Sequence, residues 1–154
     1  MSKEITIYIG ADYRAYDLKT KLIPYLTSCH NFIKLIDCGC ASSDKQNDYN
    51  DFAIDVSRNV KSHENSFGIL ICSSAHGMTI QANRFKGIRA CYCPNETSAR
   101  LAREHENSNI LCLSSELTDV ETSKKIIYTF FHTKYEPNIN REKRMKRLDE
   151  EEYD

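Results

Sequence analysis

The sequence predicts an α/β fold of three layers, αβα, with a doubly wound five-stranded parallel sheet in the middle. Three observations predict it. Strand-like and helix-like stretches alternate five times along the chain, which implies right-handed crossovers between parallel strands. The run Phe67-Gly68-Ile69-Leu70-Ile71-Cys72 is apolar throughout, as a central strand covered on both faces reads. No repeat and no interior linker divides the 154 residues, so one domain, 1–154, is expected, long enough for a real core.

Residues 3–10 alternate with β-branched side chains and read as the first strand. Residues 11–14 form the following turn. Residues 15–27 carry Tyr16, Leu18, Leu22, Ile23 and Leu26 at helical spacing, with Pro24 inside as a kink or a break. A second strand is predicted over 31–38 and a polar surface loop over 39–49. A helix over 50–62 turns Phe52, Ala53, Val56 and Val60 inward. The third strand is 68–72, the third helix 78–85 and the fourth strand 88–92. A helix over 95–106, a strand over 109–113 and a helix over 117–132 complete the alternation. The last helix faces in with Val120, Ile126, Ile127, Phe130 and Phe131. Thr118 is its predicted N-cap, with Glu121 as capping-box partner. Residues 136–154 are a charged tail that reads as a solvated helix with an acidic fringe.

Composition narrows the function. A net charge of −1 gives no broad electrostatic footprint for nucleic acid or an anionic membrane, and no apolar run is long enough to span a bilayer. No signal-peptide apolar region precedes the first strand, so a cytoplasmic protein is expected. Seven cysteines, an odd number, argue for reduced thiols rather than a disulfide framework. Cys38-Gly39-Cys40 and Cys91-Tyr92-Cys93 lie in or beside β-like runs without the second ligand pair of a zinc site, so they read as structural. No metal and no cofactor are expected, and no glycine-rich nucleotide motif is present.

Chemistry concentrates after the third strand. Cys72 is followed by Ser73-Ser74-Ala75-His76-Gly77 and then a helix, so a buried strand delivers a thiol and two hydroxyls to a turn at a helix start. In open α/β sheets ligands bind at such turns, where free N–H groups converge. The helix dipole is expected to lower the thiol pKa. The first strand delivers Asp12 and Tyr13, and the end of the fourth helix carries Glu104-His105-Glu106-Asn107. If these three groups converge, their types suit proton transfer, and a Cys72–His105 dyad is a further option. The plainer alternatives are a core Cys72, a surface His105, a loop His76 and an Asp12 that caps the first helix.

These residues resemble the ribose-5-phosphate isomerase B family, which includes the galactose-6-phosphate isomerase subunits. The landmarks are Gly10-Ala11-Asp12 with Tyr16 and Leu18-Lys19, then Asp48-Tyr49 with Phe52-Ala53. The strongest block runs from Gly68 through Cys72 to Gly77, followed by Ala82-Asn83 and Lys86-Gly87-Ile88-Arg89-Ala90. Ser98-Ala99, Arg103-Glu104-His105 and Asn107-Ser108-Asn109 complete the set, in register from Ile7 to about Arg144.

The resemblance implies a metal-free aldose–ketose isomerase for a phosphorylated aldopentose, working through an ene-diolate. It also implies a homodimer whose sites draw residues from both subunits. Carried over, Cys72 is the base between C1 and C2, Ser74 moves the hydroxyl proton and helps open the ring, and His105 assists ring opening. Asp12 binds sugar hydroxyls, Arg144 binds phosphate, and backbone N–H groups from Ser73 to Gly77 stabilise the oxyanion. Tyr13, His76, Asn107 and Arg141 complete the expected binding set. Four places depart from the family pattern. Tyr13 stands for a histidine and Ser73-Ser74-Ala75-His76-Gly77 for Gly-Thr-Gly-x-Gly. Glu106 stands for an asparagine and Asn140 for the first tail arginine. If the lost glycines need positive φ, Ser73 and Ala75 impose strain. The other readings are a family member that serves as a binding or partner subunit, and an isomerase of another sugar phosphate.

Overall fold

The computed structural model describes residues 4–28 and 33–153. The predicted strand starts at Lys3 and Asn31, the cysteine at position 29 and the last tail residue lie outside the described residues. Strands β1 (Ile5–Ala11), β2 (Ile33–Asp37), β3 (Ser66–Cys72), β4 (Ala90–Tyr92) and β5 (Ile110–Ser114) form one sheet in the order β2-β1-β3-β5-β4. Every neighbouring pair is parallel. Helices α1 (Tyr16–Ser28), α2 (Tyr49–Ser62), α3 (His76–Ala82), α4 (Glu96–Glu106), α5 (Val120–His132) and α6 (Ile139–Glu150) complete the chain.

The period-two geometry of a strand divides the core into two clusters, one on each face. Ile69 and Ile71 of β3 join Ile7, Ile9, Leu22, Leu26, Ile126, Ile127 and Phe130 on the face covered by α1, α4 and α5. Leu70 and Cys72 point the other way, into Ala53, Val56, Met78 and Ala82 of α2 and α3. This is the predicted three-layer arrangement, and it places the Cys72 thiol under α2 and α3. Gly68 allows α2 to lie close: a Cβ there would stand 2.8 Å from Val56 and 2.9 Å from Ile110.

Several boundaries move for identifiable reasons. Helix α1 runs through Pro24 without a break. β4 has 3 residues, because side-chain amides take the place of ladder partners where it begins. Asn83 pairs with both backbone groups of Ala90, at 2.9 and 2.8 Å, and Asn109 receives the Arg89 N–H at 2.8 Å. The N-cap of α5 is Asp119, whose Oδ1 accepts from the Thr122 N–H at 2.8 Å, and not Thr118, which is buried. The predicted tail helix is α6. It buries Met145, and the Arg89 guanidinium bonds both Asp149 carboxylate oxygens at 3.0 Å, which ties α6 to the start of β4.

Lys19 is 1 % exposed. Its Nζ donates to Asp37 Oδ1 at 2.7 Å and to the Cys40 carbonyl at 2.6 Å. A buried ammonium needs such partners, and these hold the loop between β2 and α2 against α1. No helix among the described residues is long and apolar enough to cross a membrane.

Candidate active site

The chain leaves β1 toward β2 on one side and returns to β3 on the other, so a topological switch point lies at the carboxyl ends of β1 and β3. A cleft of about 230 Å³ opens there. Cys72, Ser73, Ser74 and Gly77 line it from the β3–α3 turn, and Asp12 and Tyr13 from the end of β1. Six of the expected site residues therefore share one cleft, because β1 and β3 are hydrogen-bonded neighbours.

The turn is held from behind. Ser115 donates its N–H to the Cys72 carbonyl at 3.0 Å, and Ser114 Oγ donates to the Ser73 carbonyl at 2.6 Å. Helix α3 begins without a side-chain cap, unlike α4, α5 and α6, whose first turns are capped by Asn95, Asp119 and Asn138. The His76 N–H donates to Ser74 Oγ at 3.4 Å, and the N–H groups of Ser74, Ala75 and Met78 face the thiol. Cys72 is 4 % exposed. Burial pushes its thiol above the ordinary value, backbone N–H groups of Met78, Ala75 and Ser74 pull it down, and the Asp12 charge pushes it up again. The net shift is upward, which corrects the expected lowering: desolvation outweighs the helix start. Asp12 is also raised by burial, against the N–H groups of Ala15 and Arg14. Its Oδ1 accepts from the Ala15 N–H at 3.1 Å and so caps the 3-10 turn Tyr13–Ala15.

Ala75 is fully buried at φ 71°, the left-handed region. Among the described residues of this turn it alone has a positive φ, so the expected strain falls on Ala75 and not on Ser73. A residue with a Cβ there costs about 1–2 kcal/mol relative to ordinary backbone. Gly77 is demanded by contact instead: a Cβ would stand 2.5 Å from the Tyr49 ring, which closes that wall of the cleft.

The remaining expected residues lie elsewhere in the same chain. Helix α4 runs back against the strand direction, so His105 reaches the amino end of the sheet, a few residues before β5 starts at Ile110. It faces Cys91 and Tyr92 of β4 in a separate groove and sits 3.2 Å from Glu104. A Cys72–His105 dyad within one chain is therefore not formed. Asn107 is the left-handed C-cap of α4 at φ 46°, and its Oδ1 accepts from Arg103 at 3.2 Å. Arg141 donates to the Glu136 carbonyl at 2.8 Å, and Arg144 is exposed on α6. His76 is exposed, with its ring 5.9 Å from Tyr92 and outside the Cys72 cleft.

Sequence reasoning did not single out Asn47 or Tyr49 as site residues, yet both line the cleft, as does Arg14. The loop holding Asn47 reads as polar surface. The signal available was its position after β2, at the carboxyl edge of the sheet where ligands bind. The six described cysteines are free, and among the described residues no group of three His, Cys, Asp or Glu is placed to hold a metal ion.

Comparison with known proteins agrees with this architecture. Residues 7–148 match the model of the Ribose/Galactose Isomerase family. The chain is 35% identical to ribose-5-phosphate isomerase B of Escherichia coli over 130 residues, 84% of this chain and 85% of that protein. The crystal structure of a ribose 5-phosphate isomerase from Thermotoga maritima superposes with a TM-score of 0.89 at 39% identity, covering 95% of this chain and 98% of that one. The Mycoplasma genitalium enzyme, solved with bound ribulose-5-phosphate, gives 0.88 at 30% identity over 96% and 95%. With nearly its whole length matched in sequence and in fold, this chain belongs to the ribose/galactose isomerase family.

Proposed function

We propose that the protein interconverts ribose 5-phosphate and ribulose 5-phosphate through an ene-diolate, with Cys72 as the base. The observation that carries the reading is the Cys72 thiol, seated at the β3–α3 turn beside Asp12 and Ser74, with three backbone N–H groups directed at it. Proton abstraction next to a carbonyl needs a base and donors aimed at the developing oxyanion. The thiolate takes the C2 proton of the open-chain aldose and returns it to C1. Ser74 Oγ relays the proton between the two oxygens, Asp12 holds sugar hydroxyls, and the N–H groups of the 73–77 turn receive the enolate oxygen. Each such donor is worth roughly 3–4 kcal/mol in other enzymes.

The site needs a second copy. His105, Asn107, Arg141 and Arg144 stand at the other end of the sheet or on α6, away from their own Cys72. A homodimer that brings the partner's amino-end face to this cleft supplies the ring-opening histidine and a phosphate-binding arginine. The reaction belongs to the pentose phosphate pathway, and a reducing, cytoplasmic setting fits the free cysteines.

One finding favours a second reading, a binding or partner subunit without turnover. Ala75 occupies a left-handed position at the oxyanion turn, beside a thiol that burial keeps protonated. The test is conversion of ribose 5-phosphate by the purified protein, followed by NMR. Turnover that Cys72→Ala reduces at least about a thousandfold, with circular dichroism unchanged, supports the isomerase. An intact wild-type fold without turnover supports the subunit reading.

A further inference from the structure

The cleft carries an uneven set of charges for an anionic substrate. Asp12 and Asp48 line it as acids, and among the described residues Arg14 is its one cationic lining residue. Asp48 stands at the N-cap position of α2 without capping it by its side chain, so its charge stays in the cleft. A phosphate dianion entering here meets two acids and needs a cation placed against it.

Arg14 is arranged for that task. Its Nε donates to Tyr13 Oη at 3.1 Å, and its guanidinium carbon lies 5.7 Å from the centre of the Tyr13 ring. Among the described residues, its Nη1 and Nη2 make no hydrogen bond and no ion pair. The Asp12 and Glu116 carboxylates act on it only through space. The turn beneath is pinned as well: the Tyr13 N–H donates to Asn47 Oδ1 at 3.1 Å. One edge of the guanidinium is thus held while the two terminal nitrogens remain for a ligand. Paired N–H donors of this kind match two phosphate oxygens, which an ammonium cannot do.

We propose that Arg14, held in place by Tyr13, binds the phosphate of the substrate from within the same chain as Cys72 and sets the preference for a phosphorylated over a free sugar. The inference rests on the isomerase reading above and deepens it. Tyr13 is a positioning residue: it carries no cation near neutral pH, and its hydroxyl fixes the Arg14 fork.

The test compares wild type with Arg14→Ala, Arg14→Lys and Tyr13→Phe. Arg14→Ala raises KM for ribose 5-phosphate at least roughly tenfold while kcat changes by less than about threefold. It weakens inhibition by inorganic phosphate in the same proportion. The ratio of kcat/KM for ribose 5-phosphate to that for D-ribose falls with it. Arg14→Lys restores part of the loss, and Tyr13→Phe gives an intermediate rise in KM at unchanged kcat. An Arg14→Ala enzyme with KM and phosphate inhibition within about twofold of wild type overturns the inference and leaves the phosphate to other cations, such as Arg144 of a second copy. Absence of wild-type turnover counts against the isomerase reading alone. Calorimetric titration with ribose 5-phosphate then decides the role of Arg14, by binding that Arg14→Ala weakens at least roughly tenfold or does not. A wild type that neither turns over nor binds the sugar phosphate contradicts both.

Discussion

Cys72 and Ala75 lie on one tight turn and place opposite demands on it. The thiol is buried, so its ionisation depends on the N–H groups that face it, while the Asp12 carboxylate opposes that ionisation. Near neutral pH the protonated thiol predominates, and the reactive thiolate grows about tenfold per pH unit below its pKa. Alkylation of Cys72 by iodoacetamide, read peptide by peptide in mass spectra, therefore has its midpoint above that of an ordinary thiol. Asp12→Asn removes an anionic neighbour and moves that midpoint down. A midpoint that stays or rises contradicts the assignment. The cysteine and its place at a strand end were legible in the sequence. The sign of its pKa shift was not, because the depth of burial is set by α2 and α3, which pack over it from other parts of the chain. Ala75 illustrates the same limit from the backbone side. The lost glycine shows in the sequence, yet only the turn geometry tells that position 75, and not 73, carries the left-handed φ. For Ala75→Gly, relief of that strain offsets the lost methyl and the added chain entropy, so urea unfolding shifts by less than about 1 kcal/mol. At Ala102, a buried position inside α4 with ordinary helical backbone, the same change costs about 2 kcal/mol. Equal losses at the two positions would remove the strain argument.

Among the elements, the start of α2 matters most to the cleft, because Tyr49 closes one wall by lying on Gly77 of α3. Gly77→Ala drives a Cβ into that ring at 2.5 Å. Tyr49 is 38% exposed, so the ring has solvent to turn into. The expected result is a loss of kcat/KM for ribose 5-phosphate of at least about tenfold, with an unfolding free energy lowered by less than about 1 kcal/mol. A large stability loss with retained kcat/KM contradicts a wall that serves the site rather than the fold. Long elements with strong periodicity were legible in the sequence: α2, α5 and β3 turn the residues their patterns pick out toward the core, with Phe52, Phe67, Val120 and Phe131 half-buried at its edge. Short or locally ambiguous signals were not. Thr118 with Glu121 fits the capping-box pattern, yet Thr118 is buried and the cap falls to Asp119. β4 is shortened by the side chains of Asn83 and Asn109, whose amide contacts no hydrophobic pattern encodes.

At the scale of the whole molecule, the doubly wound sheet explains both what converges and what does not. β1 and β3 are adjacent at the switch point, so Asp12, Ser74 and Cys72 meet at their carboxyl ends. The α4 crossover carries His105 to the opposite end of the sheet, beside the start of β5. The alternation of elements made the layers readable from the sequence. The order β2-β1-β3-β5-β4 was not readable, because it depends on which edge each crossover takes. The central claim is a proton-transfer site built on Cys72 and completed by His105 of a second copy. Co-expression of differently tagged Cys72→Ala and His105→Ala chains, followed by purification through both tags, tests it most directly. Each variant alone should keep less than about a hundredth of the wild-type rate on ribose 5-phosphate. The mixed dimer then holds one site with both residues intact and should recover about half of the wild-type rate per dimer. A mixed species as inactive as its two parents, or a His105→Ala protein as active as wild type, would contradict the shared site.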